Sequence, residues 1–202
     1  MKISYHQLKY VLVAFSILAI NACSSLPKTD LTAISVKQAS QAQAWEMKGK
    51  LAVRTPQDKF STNLYWLHTP QQDQLTLTTM LGTTVLSLTS TATGAKLDVD
   101  GKTYHDSNPE ILLQRVAGWR FPIKRLPLWV TGQTSAEDIV LQQYNDGSPK
   151  HVSTEYNQTL WALWYLSWQQ QSGAKLPKQL KVEQSELKLK IQINHWQALA
   201  EK

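Results

Sequence analysis

The sequence predicts a mainly β protein with an α-helical lid, which is an α+β fold. Apolar and polar side chains alternate along many short segments after residue 45, a pattern typical of antiparallel strands with one buried face. The dipeptide Asp100-Gly101 between two such segments is a strong signal for a two-residue hairpin. Short segments of helical periodicity interrupt the alternation. We therefore expect an open half barrel of about 10 to 11 antiparallel strands, covered by about three helices around a hydrophobic cavity.

Residues 1–22 have the features of a signal peptide. Lys2 and Lys9 give a positive start, and residues 10–20 form an unbroken, mostly apolar run. This run is shorter than the about 20 residues that a transmembrane helix needs, and it has the size of a secretory h-region.

Cys23 is the single cysteine of the chain and follows the signal directly. Together with residues 20–22 it resembles a bacterial lipobox, in which the thiol receives diacylglycerol, the chain is cut before the cysteine and the new amine is usually acylated. Lipid attachment would consume a thiol that has no internal partner in an oxidising compartment. The alternative is a plain signal peptide whose cleavage site holds a cysteine. In enterobacterial lipoproteins an aspartate directly after the lipidated cysteine is a mark of inner-membrane retention, and this chain has Ser24 there. By that resemblance we expect a lipid-anchored, periplasm-facing protein of the outer membrane.

The segment after the cysteine begins with a linker, residues 23–30, and continues as a single domain, residues 31–202. Residues 31–44 are predicted to form a helix capped by Asp30. Alternation with a period of two begins at Trp45. The positions that share the apolar faces of the first strands are Leu51, Val53, Phe60, Thr62, Leu64, Trp66, Leu75, Leu77, Thr79, Leu81, Leu86, Leu88, Leu97 and Val99.

Two short helices are predicted in the middle of the chain. Asn108 is a good N-cap, Pro109 suits the first helical position and Gly118 is a stop signal. A second short helix covers about 124–131. Helices this short are marginal alone, so they must pack against the apolar face of the sheet.

Strands resume at about residue 139 and continue to the end of the domain. A sheet of this length must curl because twist accumulates from strand to strand. With its apolar face inward it becomes either a lidded cavity or a barrel filled by its own side chains, and both remain open at this point.

The charge of the chain argues against a nucleic-acid partner. The formal net charge is +6, and removing residues 1–22 lowers it to +4, with the basic residues scattered rather than clustered. No catalytic, nucleotide-binding or paired-cysteine motif is present, and the histidines are dispersed. We expect a monomer without enzymatic activity, metal or cofactor, apart from the covalent lipid on Cys23.

Several segments together resemble the LolB family of outer-membrane lipoprotein receptors. They are the lipobox, NLYWLH (63–68), LTTMLGTTVLSL (77–88), RFPIKRLPLWVTGQ (120–133) and LPKQLKVEQSELKLKIQINHW (176–196), in the same order as in the family. The resemblance implies a half barrel that accepts acylated lipoproteins from the periplasmic carrier LolA in a hydrophobic pocket and inserts them into the inner leaflet of the outer membrane. The alternative is a lipid-anchored protein that binds another apolar ligand without a transfer role.

The resemblance also implies two groups of site residues. An exposed loop with an apolar tip delivers cargo to membrane lipid, and here it is Met80, Leu81 and Gly82; relatives tend to have proline where this chain has Met80. The acyl pocket is expected to be lined by Leu64, Trp66, Leu77, Leu86, Leu112, Val116, Trp129, Trp161 and Ile191.

Overall fold

A computed structural model of the protein describes residues 30–118 and 121–202. The predicted signal peptide and Cys23 lie outside these ranges. Residues 31–200 form one compact unit, and Asp30 lies outside it, hydrogen-bonded through its carbonyl oxygen to Lys202 N at 3.1 Å. No helix within the described ranges is long and apolar enough to cross a membrane.

A single antiparallel sheet dominates the described residues. Its twelve strands are β1 (Leu31–Ile34), β2 (Ala44–Arg54), β3 (Lys59–His68), β4 (Gln72–Thr78), β5 (Thr84–Thr91), β6 (Gly94–Val99), β7 (Lys102–Asp106), β8 (Ile139–Gln143), β9 (Pro149–Tyr156), β10 (Thr159–Gln171), β11 (Ala174–Gln184) and β12 (Leu187–Glu201). The order is β7-β6-β5-β4-β3-β2-β12-β11-β10-β9-β8, with β1 paired to β12 outside this path. The open antiparallel sheet is confirmed, and the strand count of 10 to 11 was too low by at least one.

Two α-helices lie between β7 and β8, α1 (Pro109–Ala117) and α2 (Leu126–Val130), both where the sequence predicts them. Asn108 caps α1 by accepting a hydrogen bond from Glu110 N, and Gly118 ends it with a positive φ of 71°. The third expected helix, over residues 31–44, is wrong: this segment holds β1 and a short 3-10 turn, Ala39–Gln41. Pairing of β1 with β12, and of Val36 N with Ser172 O at 2.8 Å, overrides a weak local helix preference.

The core lies on one face of the sheet, where the register aligns apolar residues across six neighbouring strands. One row runs from β12 to β6 through Ile193, Gly49, Leu64, Leu77, Leu86 and Val99. The next row runs through Trp196, Met47, Trp66, Leu75, Leu88 and Leu97. These rows form the apolar face that the two helices cover.

Gly49 has a place of its own in this pattern. A Cβ atom built there would lie 2.0 Å from Gln192 O, so β2 and β12 approach more closely than any side chain at this position allows. A register shift between Ile193 and His195 lies directly opposite. Bulges bend the bulged strand and increase local twist, which brings the apolar face inward.

Candidate functional site

The space between the sheet and the helices is apolar and almost filled. The interior cavity measures about 20 Å³, and the described residues that line it are all hydrophobic: Leu51, Leu64, Trp66, Leu75, Leu77, Leu86, Leu88, Leu113, Phe121, Ile123, Leu126, Leu189 and Ile191. A volume of this size holds about one water-sized probe. In the conformation described, the interior is therefore packed by the protein's own side chains, and the hydrophobic cavity expected from the sequence is not confirmed.

Five of the nine expected pocket residues meet at this cavity, namely Leu64, Trp66, Leu77, Leu86 and Ile191. They come from β3, β4, β5 and β12 and all point to the covered face. The other four lie elsewhere. Leu112 and Trp129 are buried in the core, Val116 packs against it half-buried, and Trp161 lines a separate cleft.

The lid side of the cavity consists of residues that the sequence reasoning did not select. Leu113 replaces Leu112 as the lining residue of α1, because both are buried and only the helix register decides which one points to the cavity. Phe121, Ile123 and Leu126 also line it. Phe121 and Ile123 precede α2 in a segment without periodicity, so no pattern in the sequence could assign them.

Some polar atoms of the aromatic side chains in the interior have a hydrogen-bond partner, and others have none among the described residues. Trp66 Nε1 donates to Asp73 Oδ1 at 2.8 Å. Trp129 and Trp161 lie with ring centroids 6.1 Å apart, and neither indole nitrogen has a hydrogen-bond partner among the described residues. The hydroxyl of Tyr165 is also unpartnered there, and burial raises the pKa of this phenol well above its usual value.

The predicted insertion loop forms a tight turn that presents apolar side chains to solvent. Thr79 N donates to Thr83 O at 2.8 Å and Gly82 N donates to Thr79 O at 3.0 Å, which closes the turn at its base. Gly82 adopts a φ of 87°, which a side chain would strain. Met80 is 69% exposed and Leu81 is 95% exposed. A closed base with two outward apolar tips is a fixed apolar projection.

Helix α1 is attached at both ends to the curled sheet. At its C-terminal turn, Arg115 pairs with Asp106 at 2.9 Å and donates to His105 O at 3.0 Å, which joins it to β7. At its N-terminal turn, Glu110 accepts from Tyr156 Oη at 3.0 Å and from Asn157 Nδ2 at 3.2 Å, which joins it to the β9–β10 hairpin. These exposed or half-buried polar contacts hold the lid over the open side of the sheet.

A solvent-open cleft of about 410 Å³ lies beside this attachment. It is lined by Asn108, Glu110, Ile111, Gln114, Phe121, Pro122, Tyr156, Asn157, Thr159, Trp161 and Gln184. Its surface is mixed, with amides and one carboxylate around an aromatic floor.

The described residues contain no cluster of three or more histidine, cysteine, aspartate or glutamate side chains able to hold a metal ion. His68 and Asp73 form a pair at 2.7 Å beneath Trp45, which stacks on the imidazole at 5.0 Å. This pair fastens two neighbouring strands.

A twelve-stranded antiparallel sheet, an apolar face under two short helices and a projecting apolar turn define the class of the described domain, an open β-sheet with a helical cover. The chain matches the family model described as outer membrane lipoprotein LolB over residues 43–196. It is 53% identical over 184 residues to the outer-membrane lipoprotein LolB of Shewanella sp. strain MR-4, covering 91% of this chain and 86% of that protein. It is 52% identical over 188 residues to the outer-membrane lipoprotein LolB of Shewanella sediminis, covering 93% of this chain and 86% of that protein. The chain belongs to the LolB family of outer-membrane lipoproteins.

Solved structures give a more distant likeness. A LolA superfamily protein from Nitrosomonas europaea matches with a TM-score of 0.49 and 8% identity, covering 77% of this chain and 86% of that chain. A putative outer membrane lipoprotein-sorting protein domain from Vibrio parahaemolyticus matches with a TM-score of 0.46 and 9% identity, covering 79% of this chain and 92% of that chain. Both structural likenesses are too distant to indicate a function. Membership of the LolB family follows from the sequence similarity alone.

Proposed function

We propose that this protein accepts acylated lipoproteins from a periplasmic carrier of the LolA type and inserts them into the inner leaflet of the outer membrane. The observation that carries the delivery step is the Met80–Leu81 turn, whose leucine is 95% exposed on a closed base. Family membership supports the cargo and the location. We further propose that the protein acts as a monomer without catalysis, and that a lipid on Cys23 anchors it.

The energetic problem of this function is to keep acyl chains out of water. Exposure costs about 0.8 kcal/mol per CH₂, so a sixteen-carbon chain represents about 12 kcal/mol. An interior lined only by hydrophobic side chains can offset that cost. No fuel is needed when each successive host, from carrier to receptor to bilayer, holds the chains more tightly than the last.

Because side chains nearly fill the interior when no cargo is bound, uptake requires the lid to move away from the sheet. The lid is held by polar contacts of Arg115 and Glu110, by the pairing of Arg125 with Glu137 at 2.9 Å, and by apolar packing of Leu113 and Leu126. Each of the two ion pairs has one exposed partner, Arg115 and Glu137. Ion pairs that water can reach contribute little, about 0 to 1 kcal/mol each, so these contacts are readily reversible. Such a lid can open when an acyl chain replaces its apolar contacts.

The insertion turn is tested by Leu81→Glu. Since Leu81 touches little of the protein, folding should be unchanged to within about 0.5 kcal/mol. Burying a leucine in lipid contributes about 1.5 to 3 kcal/mol, so delivery of carrier-bound lipoprotein to vesicles should slow by about tenfold or more while cargo acceptance remains. The measurement is transfer of acylated lipoprotein from the carrier, followed by flotation of the vesicles.

Leu160→Glu is the matched control, because Leu160 is also exposed but lies on β10 away from the turn. It should deliver cargo at the normal rate. Normal delivery by Leu81→Glu would contradict the role of the turn. Binding of an apolar dye without any transfer from the carrier would favour a ligand-binding protein without a transfer role.

The anchor is tested by Cys23→Ala behind a cleavable signal. We expect a soluble protein that still accepts cargo, because the apolar interior proposed to bind the acyl chains is lined by residues between 51 and 191. A soluble form that cannot bind an acylated peptide would show that the anchor is part of the site.

A further inference from the structure

The cleft beside α1 and the interior cavity share one described lining residue, Phe121. Phe121 lines both spaces and is 6% exposed, Pro122 lines only the cleft and Ile123 lines only the cavity. This segment belongs to neither a helix nor a strand. Phe121 is therefore the partition between a solvent-open cleft and an apolar interior.

Glu110 connects the walls of the cleft. Its carboxylate accepts hydrogen bonds from Tyr156 Oη at 3.0 Å and Asn157 Nδ2 at 3.2 Å on the β9–β10 hairpin, and from Lys124 N at 3.4 Å after the Phe121 segment. The Glu110 side chain thus connects α1, the Phe121 segment and the β9–β10 hairpin.

The chemistry of the cleft is selective. Among the described residues that line it, Glu110 is the sole charged one, and the others are amides, hydroxyls, proline and apolar or aromatic side chains. The indole N–H of Trp161 is buried and has no hydrogen-bond partner among the described residues, and an indole is only a donor. Once the lid moves and uncovers this N–H, an ester or amide carbonyl can accept from it. An anionic phosphate would instead meet the carboxylate of Glu110, and the described lining residues include no cation to balance it. The Arg125 guanidinium lies 5.8 Å from the centroid of the Tyr156 ring, but it is already paired with Glu137 at 2.9 Å.

We propose that this cleft is the port through which acyl chains pass Phe121 into the interior, and that Glu110 makes it selective for uncharged acylated head groups over anionic phospholipids. This proposal rests on the proposed function, in which the cargo carries a diacylglyceryl thioether and an acylated amine, both uncharged. The same carboxylate serves as the clasp of the closed lid. A receptor that works beside a bilayer is thereby kept from filling with membrane lipid.

The selectivity is tested by measuring the binding of two probes to the Cys23→Ala protein. One probe is a diacylglycerol and the other a phosphatidylglycerol, and both carry the same fluorescent acyl chain. The wild-type cleft should prefer the uncharged probe. Glu110→Gln should reduce that preference by about fivefold, the effect of one charge repulsion across about 4 Å in a solvent-open site, and Glu110→Lys should reduce it further.

Glu155→Lys is the matched control, because Glu155 is an exposed acid on β9 that does not line the cleft. Its preference should remain at the wild-type value. Equal effects of Glu110→Lys and Glu155→Lys, or no effect of either, would overturn the role of Glu110.

The port is tested separately by blocking the cleft. Ile111 is 53% exposed and lines it, so Ile111→Cys in the Cys23→Ala background can be labelled with a bulky maleimide. Labelling should slow uptake of the uncharged probe at least tenfold, whereas labelling Gln71→Cys, at an exposed turn between β3 and β4, should not. Undiminished uptake by the labelled Ile111→Cys protein would refute the port. If uptake is unchanged and transfer from the carrier is still normal, the port alone is wrong and the proposed function stands.

Discussion

The close approach of β2 and β12 at Gly49 makes one substitution unusually informative. In Gly49→Ala the new Cβ would lie 2.0 Å from Gln192 O, 3.1 Å from Gln192 C and 3.3 Å from Ile193 Cα. All three atoms belong to the backbone, so no side chain can rotate away. The contact is about 1.4 Å shorter than an ordinary van der Waals distance, and the two strands must separate locally to accept the methyl group.

The expected cost combines overpacking with loss of ladder hydrogen bonds. Overpacking in a tight site costs about 1 to 3 kcal/mol, and each weakened backbone hydrogen bond about 0.5 to 1.5 kcal/mol. We therefore expect Gly49→Ala to lower the free energy of unfolding by about 3 kcal/mol. For a domain of this size that corresponds to a fall in Tm of about 6 to 12 °C, measured by thermal unfolding followed by circular dichroism.

Gly147→Ala provides the comparison. Gly147 has a φ of 81° but no atom within 4 Å of a built Cβ, so it tests backbone strain without a clash. It should lose about 1 kcal/mol, or about 2 to 4 °C in Tm. If Gly49→Ala is no less stable than Gly147→Ala, the close approach of β2 and β12 does not limit the side chain at this position.

Two further predictions concern the lid and the acid stability of the sheet. Asn108→Ala removes the acceptor for Glu110 N and should destabilise α1 by about 1 kcal/mol, seen as a lower Tm and as faster uptake of an apolar dye. The ion pair with Lys175, together with hydrogen bonds from Ser148, holds the pKa of the Asp146 carboxyl well below its usual value, so this contribution to stability is present at neutral pH and is lost as the pH falls through and below the usual carboxyl range. Asp146→Asn should therefore flatten the acid side of a plot of Tm against pH, and an unchanged acid side would contradict this reading.

The parts of the fold that follow from local rules were predictable. The α1 helix begins and ends at the predicted cap residues, because the Asn108 side chain, Pro109 and Gly118 act within a few positions of one another. The hairpin at Asp100-Gly101 is confirmed by φ values of 50° and 71°, which the turn requires.

The parts that depend on distant partners were not predictable. Residues 31–34 favour helix weakly, and only the edge of β12, more than 150 positions away, makes them a strand. In the same way, the choice of Leu113 over Leu112 and the lining positions of Phe121 and Ile123 depend on how the lid lies on the sheet. Periodicity identifies the apolar face of a helix or strand but does not predict which neighbouring element will pack against it.

A resting interior with about 20 Å³ of free space has a consequence for the direction of transport. Without cargo, the apolar side chains of the sheet and the lid already pack against one another. An entering acyl chain must displace these contacts before it forms its own. Its net affinity is reduced by the rarity of the opened form. Release of the acyl chains from the receptor is therefore favoured by closure of its interior. Insertion into a nearby bilayer requires no such opening, so the bilayer becomes the final destination.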